Sequence, residues 1–425
     1  MSLADWDRLQ FYSRRVKFVC TYDYANQVHP STYVRIAQLQ SRSSPLFPSL
    51  RRLEYHLYTK CISKNSNIFL FLLSPLLDSL ELSNIRGFES TIVGPFLATL
   101  SSSPRMLRRI VLHSGRMPVD ILKESIVHFK QLQYLDLSVE IFMGDFVLWE
   151  VLGTLPSLAQ LTLKAIDPAS HPAHAPENSN SQSRGPYFDA LESLEITGSF
   201  FFIQHLLGFI DSPRIETIRI HPIIKHILNE HDHEPDNLLS LSVTIVASKW
   251  SRSLKLLAID LIDTSQSSHR FAISKSLTFL MDLHEMKTLL LSGWRLDNVN
   301  DDVRRLVMSC PKLRVLSLRK IPISLSALKI VAERCPDLQE LDIYLDASTI
   351  PPFDASSESL GHKLEILTVR SVHSSLTQIS LESQIQIARH LDSFFPYLKT
   401  ITVWSEKWSW IRELCRLCQN IRLGK

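Results

Sequence analysis

Glycine is scarce. The 425-residue chain has 11, too few for the tight phosphate-cradling turns of a dinucleotide-binding domain. It also lacks a phosphate loop of Walker type, a Gly-x-Ser-x-Gly elbow and a His-Glu-x-x-His pair, so the common local signatures of nucleotide, acyl-transfer and zinc-protease chemistry are missing. No sign of charge dominates. The 46 Lys and Arg against 43 Asp and Glu leave +3, which argues against nucleic acid or an anionic membrane surface as the partner. The richest apolar run, residues 68–77, is broken by Ser74 and Pro75 and falls far short of the roughly 20 residues a bilayer requires. The chain starts on Asp5, Trp6, Asp7 and Arg8, where a signal peptide has a basic start and an apolar core, and it has no Asn-x-Ser/Thr acceptor. Its six cysteines, at positions 20, 61, 310, 335, 415 and 418, are too sparse for a secreted disulfide scaffold. Together these absences predict a cytoplasmic or nuclear location, with no membrane and no nucleic acid among the partners.

What the chain does have is a period. Cys310-Pro311-Lys312-Leu313-Arg314-Val315-Leu316-Ser317-Leu318 returns as Cys335-Pro336-Asp337-Leu338-Gln339-Glu340-Leu341-Asp342-Ile343. Both copies read Leu-x-x-Leu-x-Leu or Ile, the strand signature of a leucine-rich repeat, and their spacing lies within the 20 to 29 residues of that class. The same core recurs 13 times, anchored at Leu50, Leu77, Leu107, Leu132, Leu158, Leu191, Ile215, Leu254, Met286, Leu313, Leu338, Leu364 and Leu398. One such hexad arises easily by chance; recurrence at spacings mostly between 24 and 34 residues does not. Helical patterns lie between the cores, at 118–129, 146–155, 200–209, 299–309, 324–333 and 383–394.

Parallel strands need crossovers, and the helices supply them. The expected fold is therefore an α/β leucine-rich-repeat solenoid of about 13 repeats, with a curved parallel sheet on its concave face and helices on its convex face. At about 4.8 Å per strand the sheet runs roughly 60 Å. Residues 1–46 are assigned to an N-terminal helical cap, 47–403 to the solenoid and 404–425 to a C-terminal helical cap that includes Trp404, Trp408 and Trp410. Residues 167–186, rich in Pro, Ala, Ser, Asn and His, are expected to form a disordered insertion. Residues 229–237, 262–268 and 347–361 are expected to form polar loops.

Few residues suggest chemistry. His226, His231, Asp232, His233 and Glu234 cluster in sequence, and a metal-dependent enzyme built on the loop from His226 to Glu234 is the remote alternative. That loop lacks the rigid elements a catalytic zinc site uses. Cys415 and Cys418 form a Cys-x-x-Cys without a second pair, which reads as packing of a terminal helix. The expectation is no catalytic residue, no metal and no cofactor. Strand side chains alternate between faces, so the open face should present Arg52, Glu54, Arg109, Tyr134, Asp136, Glu195, Arg219, His221, Arg319, Glu340, Asp342, Tyr344, Arg370 and Trp404, with His56, Glu81, His113 and Lys164 beside them. Charges of both signs among Tyr, Trp and Arg are the composition of a protein-binding surface.

The Cys-Pro-x-Leu-x-x-Leu-x-Leu cores at 310 and 335 resemble the cysteine-containing repeats of many F-box proteins. The recurring Pro-x-Leu-x-x-Leu cores, with Trp6, Tyr12-Ser13-Arg14-Arg15-Val16 and His29-Pro30-Ser31, are similar to fungal F-box-like proteins over nearly the whole chain. The resemblance implies a substrate-recruiting subunit of a cullin ubiquitin ligase, in which an F-box grips the Skp adaptor and the repeats hold a protein target. The F-box, some forty helical residues opening on Leu-Pro, is absent; the one Leu-Pro pair is Leu155-Pro156. That leaves either an F-box upstream of Met1 or a relative that binds targets independently of a ligase.

Overall fold

The computed structural model of the chain describes residues 3–22, 32, 35–36, 38, 45–56, 72–85, 90–102, 106–114, 119–139, 146–165, 188–224, 235–263, 276–294, 296–353, 360–371, 380–403, 406–422 and 424. They fall into two compact units, Met1–Gly198 with Phe209–Arg214, and Ser199–Gly208 with Ile215–Lys425.

In the first unit, helix α1 (Leu3–Ser13) precedes strands β1 (Phe18–Tyr22), β2 (Arg52–His56) and β3 (Ser79–Ile85). Helix α2 (Ser90–Ser101), β4 (Arg109–Ser114), α3 (Val119–Ile126), β5 (Tyr134–Val139), α4 (Phe146–Gly153), β6 (Gln160–Ala165) and β7 (Ser193–Gly198) follow. Each strand pairs in parallel with the next. The side chains that face the helices repeat in register, Leu53, Leu80, Ile110, Leu135, Leu161 and Leu194, all at most 1% exposed. Burying each contributes about 1.5–3 kcal/mol of transfer free energy before chain entropy is subtracted, so the stack stands only as a whole.

The second unit opens on α5 (Phe200–Phe209), whose last residue belongs to the first unit, and continues through β8 (Thr217–Ile224), α6 (Pro235–Trp250), β9 (Leu256–Asp260) and the two-residue β10 (Ile262–Asp263). A 3-10 helix (Ser276–Asp282), β11 (Thr288–Ser292), α7 (Val299–Ser309), β12 (Val315–Ser324), α8 (Leu325–Arg334), β13 (Glu340–Asp346), β14 (Ile366–Ser371), α9 (Leu381–Phe394), β15 (Thr400–Val403) and α10 (Glu406–Arg422) complete it. Its strands run β8, β9, β11, β12, β13, β14, β15, all parallel, with β10 beside β8.

This is a leucine-rich-repeat solenoid. All 13 anchors read from the sequence are buried, Leu50 through Leu398. Within each unit, the residue after an anchor ties its repeat to the next, because its carbonyl accepts two N–H groups of that repeat. Arg314 O receives Gln339 N–H at 2.8 Å and Glu340 N–H at 3.0 Å, and Glu365 O receives Lys399 and Thr400 at 2.9 and 3.0 Å. The same bonds run from Lys17 O to Arg51 and Arg52, so the sheet begins at Phe18, inside the stretch 1–46 assigned to a helical cap. Leucine spacing does not mark β1, because Phe18-Val19-Cys20-Thr21-Tyr22 carries no leucine; aromatic and β-branched residues serve a strand equally well. Two loop assignments also shift. Helix α6 starts at Pro235, within the expected loop 229–237, because proline fits the first turn of a helix where no N–H is needed, and Ile262 pairs with Ile223 as β10. Residues 167–186 and the loop from His226 to Glu234 lie outside the described residues.

Candidate functional site

Strand alternation sends every second side chain away from the helices, and lateral register lines these outward residues up in rows. In the first unit, one row places Phe18, Arg52, Arg109 and Tyr134 in register. The Arg109 guanidinium lies 3.9 Å from the centre of the Tyr134 ring and that of Arg52 lies 5.4 Å from Phe18, close enough for attraction to the ring faces. The next row is acidic, with Glu54, Glu81, Asp136 and Glu195. A third holds His56, His113 and Lys164. The face is thus striped: cationic and aromatic, then anionic, then imidazole and amine.

Two pairs cross the stripes. Arg52 forms an ion pair with Glu54. His113 Nε2 lies 3.3 Å from Asp136 Oδ1, yet neither atom has a hydrogen bond of good geometry, although Asp136 is 7% exposed. A buried carboxylate oxygen in that state can take a further donor from a bound group.

In the second unit, one row runs from Arg219 through Ala258, Leu290 and Ser317 to Asp342, with Glu340 two residues before Asp342 on β13. The organising residue is Asp342. Arg370 Nε donates to its Oδ1 at 2.9 Å and Arg370 Nη2 to its Oδ2 at 3.3 Å. Arg319 Nε donates to Oδ2 at 2.8 Å. Two guanidiniums on one carboxylate leave one positive charge in excess. Arg319 lies two residues after Ser317, the register partner of Asp342, and so reaches it diagonally on the same face, as Arg370 does from beside Thr368. Beyond Leu318, which pairs with Ile343, β12 bulges and the next pair is Pro322 with Tyr344. Lys320, in the looped-out turn, takes a left-handed φ of 64°. Tyr344 stands opposite Arg370. His221 lies two residues after Arg219 on β8 and is half-buried.

The residues named from the sequence therefore occupy outward strand positions, with Arg52, Glu54, Arg109, Tyr134, Asp136 and Glu195 in the first unit and Arg219, His221, Arg319, Glu340, Asp342, Tyr344 and Arg370 in the second. Trp404 lies outside the described residues. Sequence reasoning missed Phe18 and Cys20, whose strand it did not recognise. Cys20 Sγ, a Glu54 carboxylate oxygen and a His56 ring nitrogen all lie within 4.8 Å of one another, a grouping that only the pairing of β1 with β2 creates.

The other thiols are core. Burial pushes Cys310 and Cys335 up to about 12, Cys335 with a smaller push from Cys310, and burial also raises Cys415, with Cys418 and Asp392 adding to it. These groups are not nucleophiles at neutral pH. His362 is buried in a connecting role. Its Nδ1 accepts Leu364 N–H at 3.0 Å and its Nε2 lies 2.6 Å from Cys335 O, so the neutral tautomer with the proton on Nε2 satisfies both. At its open end β15 is followed by α10, which packs on α9 through Cys415 Sγ to Ala388 O at 3.7 Å and Arg422 to Asp392 at 3.2 Å.

No family model matches the sequence, and neither does any curated protein. Among solved structures, the chain is similar to a leucine-rich-repeat protein of Leptospira interrogans, at 16% identity and a TM-score of 0.37 over 84% of this chain and 79% of that one. It is also similar to a chain of the Rad7 and Elc1 complex in yeast, at 13% identity and 0.44 over 95% and 90%. A Bacteroides fragilis protein aligns at 12% identity and 0.33 over 91% and 72%. At these identities and scores the likeness concerns the fold alone. None of the described helices is long and apolar enough to cross a membrane.

Proposed function

We propose that the chain is a protein-interaction scaffold that holds a protein partner on the outward face of its strands, as the target-recognition repeats of an F-box-like protein serving a cullin ubiquitin ligase. It acts by binding, not catalysis, in the cytoplasm or nucleus. The observation that carries this reading is the cluster of Arg319, Asp342 and Arg370 beside Tyr344. A free arginine side chain loses about 1.5–2 kcal/mol of rotamer freedom when a partner fixes it. Here Asp342 already holds both guanidiniums, so much of that cost is met before binding. Arginine and tyrosine are the residue types that dominate binding energy in protein interfaces. The acidic row of Glu54, Glu81, Asp136 and Glu195 disfavours a polyanion in the first unit and supports a partner with mixed charge.

The test is quantitative mass spectrometry of proteins retained by the tagged full chain and by its Arg370→Ala variant in the native cells. Arg319 still neutralises Asp342 in that variant, so the fold should survive. The expected result is a target retained by the wild type and depleted with the variant, and stoichiometric Skp adaptor and cullin with both chains if the N-terminal segment substitutes for the absent F-box. Absence of adaptor and cullin removes the ligase reading and leaves the scaffold. Identical sets of bound proteins from both chains remove the role of the strand face.

A further inference from the structure

We infer that Cys20, Glu54 and His56 form a zinc-binding site on the outward face of β1 and β2. Cys20 and Glu54 are direct register partners across the two strands, and His56 follows Glu54 by two residues, on the same face. Their ligand atoms lie within 4.8 Å of one another and all three side chains are half-buried. Ligands around a tetrahedral zinc ion stand about 3.5 Å apart, given bonds of about 2.0–2.3 Å, so small rotamer adjustments close the set. The backbone beneath is fixed: Leu53, beside Glu54, and Tyr55, between Glu54 and His56, are 0% and 4% exposed. Sites carried on rigid strands hold their geometry better than sites on loops.

The donor set selects the metal. A thiolate with an imidazole suits zinc and disfavours magnesium and calcium, which take oxygen ligands. Three protein ligands leave the fourth tetrahedral position to water. Binding releases the Cys20 thiol proton to solvent, with no change of oxidation state; the thiolate and the Glu54 carboxylate then neutralise the two charges of the ion, and water takes the fourth position. Glu54 has two oxygens, so one can stay on Arg52 while the other meets the metal. Nothing local in the sequence announces the site, because its ligands come from two strands separated by a whole repeat.

The experiment is titration of the full-length chain, stripped with chelator, with cobalt(II) as a spectroscopic stand-in for zinc, followed by back-titration with zinc. The inference predicts one equivalent of cobalt with a thiolate-to-metal charge-transfer band, displaced by one equivalent of zinc. Cys20→Ser should abolish the band, and Glu54→Gln and His56→Gln should each weaken binding on the order of tenfold or more. If Cys20→Ser lowers the folded fraction by circular dichroism, the Glu54 and His56 variants carry the test alone. Absence of the band in the wild type, its persistence in folded Cys20→Ser, or unchanged affinity in both other variants overturns the inference.

Discussion

At the scale of single residues, the repeats use one position for one job with different chemistry. Three residues before their anchors, Cys310 and Cys335 fill apolar space, while Ser74 donates to Pro48 O at 3.2 Å and accepts Leu76 N–H at 3.2 Å. Ser212 donates to Leu191 O at 2.8 Å and accepts Arg214 N–H, and His362, one position along, bonds Cys335 O and Leu364 N–H. Two predictions belong here. Cys310, Cys335 and Cys415 should stay silent to a thiol reagent at about pH 8 in the native protein and titrate fully in denaturant, since the thiolate is the reactive form. Burial holds the His362 pKa below its ordinary value of 6.5, against opposing pulls from the Cys335 carbonyl and Asp337. As pH falls the unfolded chain therefore takes this proton before the native one does. The stabilisation is complete above about pH 6.5 and is lost as the pH falls through the depressed native value. Urea midpoints of the wild type should drop between about pH 7.5 and about pH 5 more than those of His362→Gln, which keeps a donor and an acceptor but cannot titrate.

At the scale of elements, caps and turns fix where each crossover begins. Ser324 Oγ accepts Ala327 N–H at 3.1 Å at the start of α8 and lies 2.9 Å from Asn300 Oδ1 near the start of α7. Ser324→Ala should cost about 1 kcal/mol of stability by denaturant unfolding. Gly293 follows β11 with φ of 84°, and a Cβ there would sit 2.9 Å from Leu261 Cβ; Gly293→Ala should cost about 1–3 kcal/mol, read as a fall in the same unfolding midpoint. The anchors, and helices such as 200–209 and 299–309, were legible in the sequence because a leucine or isoleucine buried every repeat leaves a mark that no other pressure writes. Strand β1 was not, since its burial is carried by other residue types. The division into two units near Gly198 and Ile215 was not legible either, because Ile215 continues the anchor pattern without interruption. The outward residues were legible by alternation alone, whereas their partnerships were not. Arg319 meets Asp342 diagonally across two paired strands, and Cys20 meets Glu54 through register, and neither is encoded by spacing along the chain.

Over the whole molecule, exposed charges between repeats differ in kind from the strand face on which the proposed function rests. Lateral ion pairs such as Lys312 with Glu285 at 2.6 Å and Lys399 with Glu365 at 2.8 Å lie on exposed positions between repeats and contribute little each. The proposed recognition uses the strand face. The measurement that tests this most directly is the affinity of the recovered protein target for Arg219→Ala and Tyr344→Ala, with Lys329→Ala on the exposed side of α8 as the control and circular dichroism as the check on folding. Recognition by the strand face predicts a loss of about tenfold or more, near 1.4 kcal/mol, for at least one strand-face variant and none for Lys329→Ala. Wild-type affinity in both Arg219→Ala and Tyr344→Ala would contradict it.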